Sequence, residues 1–256
     1  MDPYRFISLY LGFTTFGIFF GILGIKVLKR DPKDRLNQFI SLFYFFSCVS
    51  LIVNLIYSTI KSPALQELAS FLGVTTVYFM MLGLGFLVLF TQLLYKPQLI
   101  EKTRNQIILI LIYASLLSTM FIIPDGLYII IQSDGTQFPP IFNLPFTIFN
   151  LINVVLTASL VLINSRKIYK SFNNKELAKR FKFFIIGVFI FYILCFHCLL
   201  ANYLNLYVLR QLHTFLQIFV IFGLYFIYFG MGVPRKNVIN INYSIEEESA
   251  LRLKEL

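Results

Sequence analysis

Long apolar runs, separated by short polar segments, dominate the chain. Seven runs come close to or exceed the roughly 20 residues that a helix needs to cross the hydrocarbon core of a bilayer. Lipid offers no partner to backbone amides, so each such run has to form a helix that bonds within itself. The runs cover residues 6–28, 36–60, 68–95, 106–123, 142–164, 183–204 and 208–233. The pattern predicts an all-α integral membrane protein: a bundle of seven transmembrane helices over residues 1–234 and a short, partly helical tail over 235–256.

Basic residues orient this bundle. The segment 165–182, read as a loop between two apolar runs, holds seven Lys and Arg residues against one acid, Glu176. Lys and Arg are retained on the cytoplasmic side of a membrane. If the chain crosses the membrane seven times, nineteen basic residues lie on the same side of the membrane as this segment. Three, Arg5, Lys61 and Arg210, lie on the opposite side. The count predicts an external N-terminus and a cytoplasmic C-terminus in the cell (cytoplasmic) membrane, with anionic lipid headgroups as the partner of the basic segments.

Composition supports assignment to the membrane proteins and argues against nucleic acid as a partner. Hydrophobic residues make up 58% of the chain and charged residues 13%, whereas soluble domains are nearer half apolar and a quarter charged. The net charge of +10 does not indicate nucleic acid, because the bases lie between apolar runs of spanning length. Cys48, Cys195 and Cys198 all fall within apolar runs. No extracellular disulfide framework is therefore expected.

Turn and capping residues predict the connecting segments. Pro124-Asp125-Gly126 is expected to end the fourth helix, and residues 127–140 then form the longest outer loop, with a short interfacial turn at 127–131. Gly17 and Gly21 form the G-x-x-x-G spacing that lets a neighbouring helix approach closely. In the tail, Ser244 and Glu247 form a capping box. This pair is compatible with a docking helix up to Leu256 and equally with a solvated tail.

Polar side chains at membrane depth are costly, and each is a functional hypothesis by default. At about 1.5 Å per residue, His197 and His213 lie roughly 10 Å and 8 Å below the outer ends of two sequential antiparallel helices. Their imidazoles are therefore expected at one level, where histidine would respond to external pH. The candidate outward-facing pocket, for an unknown small ligand or lipid, consists of Asn54, Asp125, Asn150, Asn153, His197, Asn202, Gln211, His213 and Gln217. The alternative is interhelical hydrogen bonding without a ligand.

Metal binding and catalysis are not expected. Cys195 and Cys198 share a helix face, but His197 points roughly 100° away from Cys198, and no fourth ligand is evident. The sequence contains no H-E-x-x-H, paired-glutamate or G-x-S-x-G motif. We therefore expect no metal, no cofactor and no enzyme activity.

Several short motifs together resemble the seven-helix N-terminal sensor region of prokaryotic histidine kinases. They are Arg35-Leu36-Asn37, the segment Ala178-Lys179-Arg180-Phe181 leading into Phe184-Ile185-Ile186-Gly187, Asn202-Tyr203, and Gly223-Leu224-Tyr225 followed by Gly232-Val233-Pro234. In that family the last helix feeds a cytoplasmic kinase or similar output domain. The residues after Pro234 include no phospho-accepting histidine and no ATP site. The resemblance implies an input module that passes its signal to a separate cytoplasmic or membrane partner.

Two other functions remain open at this point. The first three and last three helices share orientation around the fourth, which is compatible with a small 3+1+3 metabolite transporter. Transporters bind substrate through broken helices near the midplane, and the interiors of these runs lack proline, which counts against this reading. A non-catalytic accessory subunit, packed against another membrane protein, is the third hypothesis.

Overall fold

The computed structural model describes residues 12–96, 98 and 102–231, and most of them are helical. The α helices, in chain order, are α1 Thr14–Leu28, α2 Arg35–Ser58, α3 Gln66–Tyr95, α4 Thr103–Ser118, α5 Leu144–Ser171, α6 Lys175–Leu204, α7 Tyr207–Leu216 and α8 Ile218–Gly230. Short 3-10 turns, Pro63–Leu65 and Thr119–Ile122, precede α3 and follow α4. The expected stop at Pro124-Asp125-Gly126 therefore lies just beyond the end of this helical segment.

Within the described residues, six helical segments are long and apolar enough to cross a membrane, with α7 and α8 together forming the sixth. This confirms a helical, multi-pass membrane protein. The described part of α1 is a shorter apolar helix of 15 residues. The beginning of the first predicted span and the whole tail, residues 235–256, lie outside the described residues, as does the capping box of the tail.

Successive helical segments run antiparallel to one another. A closed ring is formed by α1, α2, α3, α5, α6 and α8. α2 packs between α1 and α3, and α6 packs between α5 and α8. The contact of α3 with α5 and that of α1 with α8 join the two groups. α4 packs mainly against α3 and leaves most of its apolar side chains exposed.

A buried aromatic cluster of Phe20, Phe43, Tyr44 and Phe191 occupies the centre of the ring. The centroid of the Phe43 ring lies 5.4 Å from that of Phe191 and 5.1 Å from that of Tyr44, and Phe20 contacts all three rings. The Tyr44 hydroxyl donates to the backbone oxygen of Leu224 over 3.1 Å, as a buried tyrosine requires. The cluster thereby joins α1, α2, α6 and α8.

The segment 165–182 is not the loop that the apolar pattern predicts. α5 continues to Ser171 and α6 begins at Lys175, so only residues 172–174 are non-helical. Lys, Arg and Glu are good helix formers, and their long side chains reach polar surroundings while the helix continues. Asn174 caps α6 by accepting from the Glu176 amide over 2.8 Å, and Glu176 pairs with Arg180 at 2.9 Å.

We call this end of the bundle, where α1, α3, α5 and α8 end and α2, α4 and α6 begin, the basic end. Its cations contact neighbouring helices as well as solvent. The Arg30 guanidinium lies 4.3 Å from the centre of the Tyr228 ring, Lys167 lies 5.1 Å from that of Tyr95, and Arg35 donates to Gln106 Oε1 over 3.0 Å. These contacts join α1 to α8, α5 to α3, and α2 to α4.

Glycines make the α6–α8 contact unusually close. A Cβ added to Gly187 would meet the backbone oxygen of Gly223, and one added to Gly230 would meet the backbone nitrogen of Phe184. The G-x-x-x-G pair of α1 has more room, because a Cβ at Gly17 would lie 3.8 Å from the Cβ of Leu51. The tightest helix contact therefore lies between α6 and α8 and not along α1.

The glycine contacts make a first prediction. Replacing Gly187 with Ala should lower the free energy of unfolding by about 1–3 kcal/mol, because α8 has to move away from α6. Replacing Gly17 with Ala should leave it unchanged or raise it by up to about 1 kcal/mol, because the methyl group has room and Ala favours helix. SDS titration of the purified variants measures both values. Equal losses at the two positions would contradict the assigned α6–α8 contact.

Candidate functional site

The segment between α4 and α5 folds into a short hairpin, not the interfacial turn expected at 127–131. Strand β1 (Leu127–Tyr128) pairs antiparallel with β2 (Ile141–Phe142), and an isolated bridge joins Ile131 to Gln137. Leu127, Ile129 and Ile131 are buried while the residues between them are exposed. This period of two is that of a strand with one face on the protein. We call residues 127–142 the hairpin and this end of the bundle the hairpin end.

Hydrogen bonds to three helices hold the hairpin over the bundle. The Ile129 amide donates to Ser70 Oγ (3.0 Å), the Ile131 amide to Gln66 Oε1 (3.1 Å), the Gln137 side chain to the Tyr57 carbonyl (2.9 Å), and Arg210 to the Pro140 carbonyl (3.0 Å). These bonds reach α3, α2 and α7. The hairpin is therefore part of the tertiary fold and covers the ends of these helices.

The tip of the hairpin is also ordered by local bonds. Gly135 has a φ of +79°, a conformation that glycine adopts without strain. The backbone amide and the hydroxyl of Thr136 donate to the carboxylate of Asp134, and they lower the pKa of that carboxyl below its ordinary value. A lowered carboxyl pKa means that these bonds stabilise the tip at neutral pH and weaken as the pH falls through that value.

A cavity of about 170 Å³ lies beneath the hairpin. Leu127, Pro140 and Phe142 of the hairpin line it, and Phe20 and Phe191 of the aromatic cluster line it near the middle of the helices. Most of the remaining lining is aliphatic or aromatic. The polar lining residues are Ser50, Asn54, Tyr57, Thr76, Cys195, Cys198, Asn202, His213 and Gln217. The cavity is therefore an apolar space with a polar wall.

Four residues of the predicted pocket, Asn54, Asn202, His213 and Gln217, line this cavity. Asn54 stands out because its Oδ1 atom is fully buried and has no hydrogen-bond partner within the described part of the chain. Other polar lining groups bond to backbone: the Asn202 amide donates to the Cys198 carbonyl over 3.0 Å, and the Ser50 hydroxyl donates to the Thr76 carbonyl over 2.8 Å. A buried acceptor without a partner is costly.

His197 and His213 meet at one level. Their Nδ1 atoms are 3.3 Å apart, and the two rings are stacked at 10° with centroids 5.4 Å apart. One Nδ1 must carry the proton that the other accepts. His213 lines the cavity, whereas His197 reaches it only through His213. The pair joins α6 to α7 beside the cavity.

The other predicted site residues do not join the cavity. The side-chain amides of Asn150 and Asn153 donate to carbonyls one turn earlier on α5, at 2.8 Å and 2.9 Å. Asp125 is exposed in the turn after α4, with a φ of +49°. Gln211 is half-buried on α7 and does not line the cavity. The predicted pocket is therefore corrected to Asn54, Asn202, His213 and Gln217, with His197 behind them.

The orientation of α7 explains why its polar residues gather here. Val208 and Phe215 are 71% and 62% exposed, while His213 lines the cavity and Gln217 is buried against it. A helix with its apolar side outward and its polar side toward the protein is typical of a membrane-embedded helix beside a polar site. The spacing of Cys195, Cys198 and Asn202, at i, i+3 and i+7, places the matching wall on α6. This spacing is the sequence signal by which the lining cysteines could have been found.

Within residues 12–96 and 102–231, no three His, Cys, Asp or Glu side chains meet closely enough to hold a metal ion. Cys195 and Cys198 are free thiols and both line the cavity. His197, between them in sequence, contacts His213 instead of joining a shared ligand set. The arrangement can bind a guest by shape and hydrogen bonding.

No family model matches the chain, and no curated protein matches it. A function for the cavity therefore rests on its residues and their geometry.

The histidine pair makes a second prediction. His197→Ala and His213→Ala should each lower the free energy of unfolding, and the double variant should lose less than the sum by about 0.5–1.5 kcal/mol, because both changes remove one hydrogen bond. SDS titration of the four proteins gives the coupling. Asn150→Ala is the control, since its amide bonds within α5 and should add to either histidine change. Strict additivity of the two histidine variants would contradict the bond between the rings.

Proposed function

We propose that the chain is a seven-helix, receptor-like membrane sensor that passes a change to a separate cytoplasmic or membrane partner. The observation that carries the proposal is the cavity of about 170 Å³ at the hairpin end, with Asn54, Asn202, His213 and Gln217 in its wall. Polar groups at membrane depth mark functional sites by default. A small ligand or lipid in this cavity is the input.

The junction between α7 and α8 is the proposed moving part. The Gln217 amide bonds to the His213 carbonyl over 2.9 Å, as in an α helix, but the Val220 amide bonds to the Gln217 carbonyl, also over 2.9 Å, as in a tighter 3-10 turn. A 3-10 stretch within a helix often marks a hinge. Gln217 lines the cavity, so a guest contacts the junction directly. A ligand shifts such an equilibrium only as far as it prefers one state.

α8 links the junction to the basic end. It packs tightly on α6 through Gly223 and Gly230, and its Tyr228 ring contacts Arg30, which follows the end of α1. A shift of α8 would therefore alter the basic end, where the proposed partner and anionic headgroups bind. The resemblance to the sensor region of prokaryotic histidine kinases supports the same division into an input end and an output end.

The proposal includes seven spans in a prokaryotic cytoplasmic membrane, with the hairpin end outside. The nineteen-to-three distribution of basic residues supports this orientation. Reporter fusions after Pro63, Gly135 and Tyr207 should therefore read external, and fusions after Asp34, Asn174 and Leu256 should read cytoplasmic. A single inverted reading among the six would refute the seven-span topology.

A metabolite transporter is the second candidate, and two observations favour it. The helices form two three-helix groups, α1–α3 and α5 with α6 and the α7–α8 segment, while α4 packs mainly on α3. The last segment is interrupted beside the cavity, at Gln217, and transporter sites use interrupted helices. The interruption is a single tight turn with helical φ and ψ at Gln217, which is less than the unwound stretch that this mechanism uses.

Crosslinking at the basic end tests the sensor proposal. A photocrosslinking amino acid at Asn173, an exposed residue of the segment 172–174, should capture a partner in native membranes. Val220→Phe, which fills the cavity, should change the captured yield by several-fold, because it mimics or blocks the input. Val155→Phe is the matched control, since Val155 is 52% exposed on α5 and does not line the cavity.

The outcomes separate the three hypotheses. A partner whose yield changes with Val220→Phe and not with Val155→Phe supports a sensor. A partner captured equally by all three proteins indicates an accessory subunit. No partner, together with solute uptake into vesicles that Val220→Phe abolishes, indicates a transporter.

A further inference from the structure

Two lysines and one tyrosine meet at the basic end, where α3 and α5 lie side by side. The Nζ atoms of Lys167 and Lys96 lie 5.1 Å and 5.6 Å from the centre of the Tyr95 ring. We infer that these three side chains bind the phosphodiester of one anionic phospholipid. The charge of the basic end predicts only a general attraction to such lipids, and the inference adds a defined site. This site is separate from the cavity and does not depend on the cavity being an input site.

A hydrogen bond one turn earlier fixes the two helices beside each other. The Asn164 side-chain amide on α5 donates to Gln92 Oε1 on α3 over 2.9 Å, and Asn164 is buried. Lys167 and Tyr95 follow three residues later on their respective helices. Residues three apart are neighbours on one side of a helix, so the contact of Lys167 with Tyr95 is the next contact of the same helix pair. The position of the site is therefore set by the packing of α3 against α5.

The site lies at the level of lipid headgroups. Tyr95 is the last residue of Pro63–Tyr95, a helical segment long and apolar enough to cross a membrane. Tyrosine is enriched where a span meets the headgroups, because its ring is apolar and its hydroxyl is polar. Tyr95 is half-buried, whereas Lys96 and Lys167 are exposed. Two accessible ammonium groups are thus held at the depth of the lipid phosphates.

Within the described part of the chain, no carboxylate pairs with either lysine, since the salt bridge there joins Glu176 to Arg180 on α6. Two ammonium groups drawn to one ring repel each other, and an anion bound between them replaces this repulsion with two attractions. Lysine carries a compact charge on a flexible stem, so both lysines can converge on one phosphate. The charge of the site therefore calls for an anion.

The surface beside the site favours a lipid over a soluble anion. Leu160 and Ile163 of α5 are 49% and 52% exposed, and they precede Lys167 by seven and four residues. This spacing places all three on one face of the helix, with the apolar pair on the membrane side of the charge. Acyl chains can lie along this face while the phosphate meets the lysines. A zwitterionic lipid would bring its own cation to two ammonium groups, so the ligand carries a net negative charge.

Counting bound lipids tests the inference. The purified full chain, in detergent, is titrated with phosphatidylglycerol or with phosphatidylcholine of the same acyl chains, and native mass spectrometry gives the affinity for each lipid bound. We expect the first phosphatidylglycerol to bind more than about tenfold more tightly than phosphatidylcholine, because two lysines act on its charge. Inorganic phosphate and glycerol 3-phosphate, added at the same concentration as the lipid, should not displace it.

Lysine variants locate the site. Lys96→Gln and Lys167→Gln should each weaken binding of the first phosphatidylglycerol about fivefold, and the double variant more than about tenfold, as expected for bases beside a lipid phosphate. The double variant Lys175→Gln/Lys179→Gln is the matched control, because it removes the same charge from exposed positions of α6 at the same end. Its first lipid should bind as in the unchanged protein. Lys96→Arg/Lys167→Arg, which keeps both charges, should also retain binding.

Variants of Tyr95 test the ring without a change of charge. Tyr95→Leu should weaken binding of the first phosphatidylglycerol about two- to fivefold, because the ring no longer holds the ammonium groups together. Tyr95→Phe keeps the face of the ring and should retain binding. The thermal unfolding midpoint without added lipid shows whether each variant folds. If Tyr95→Leu does not fold, the exposed lysine variants decide the outcome.

Four results would overturn the inference. Unchanged lipid binding in the double variant of Lys96 and Lys167 removes the site, and an equal loss in the α6 control reduces it to a diffuse attraction of the basic end. Displacement by glycerol 3-phosphate indicates a soluble anion as the ligand. Binding that tightens more than about fivefold in Glu101→Gln shows that this carboxylate, which lies outside the described residues, already pairs with the lysines. None of these results bears on the cavity, so the proposed function is tested separately.

Discussion

Lipid provides no hydrogen-bond partners, and this constraint determines how the polar side chains of the helices are arranged. Each polar side chain at membrane depth has to turn toward protein or bond to its own helix. The orientation of α7 about its own axis meets this requirement, because Val208 and Phe215 face outward while His213 and Gln217 face the protein. The side-chain NH2 groups of Asn150 and Asn153 instead donate to carbonyls of α5. The inward-facing residues of α7 form a polar wall of the cavity. The asparagines of α5 bond within their own helix and do not line the cavity.

The cavity lies between the hairpin and the aromatic cluster. Above, the hairpin is held by bonds to α2, α3 and α7, including that from Gln137 to the Tyr57 carbonyl. Below, the aromatic cluster around Phe43 and Tyr44 fills the ring and joins α1, α2, α6 and α8. Between these two layers the Asn202 amide and the Ser50 hydroxyl bond to backbone carbonyls, whereas Asn54 Oδ1 is buried without a partner among the described residues. The packing of the helices and the cavity are thus two consequences of one arrangement.

Much of the fold could be predicted from the sequence, because span length and polarity are local properties. The apolar runs placed most helix ends within a few residues, and the level of His197 and His213 followed from counting along two antiparallel helices. Where the prediction was wrong, local preference differed from the apolar pattern. The segment 165–182 is mostly helical because Lys and Glu favour helix beyond the apolar run, and the hairpin forms because alternate residues of 127–131 find a buried surface on α3.

The sequence by itself determined which residues lie at membrane depth, which end of the bundle is basic, and that two histidines share a level. It could not determine the direction in which each side chain points around its helix axis, because that depends on which helices are neighbours. Only the tertiary structure decided that Asn54 faces a cavity while Asn150 does not, and that Cys195 and Cys198 line the same wall. It likewise decided that the closest helix contact uses Gly187 and Gly230, since a glycine shows its role only against the backbone that it meets.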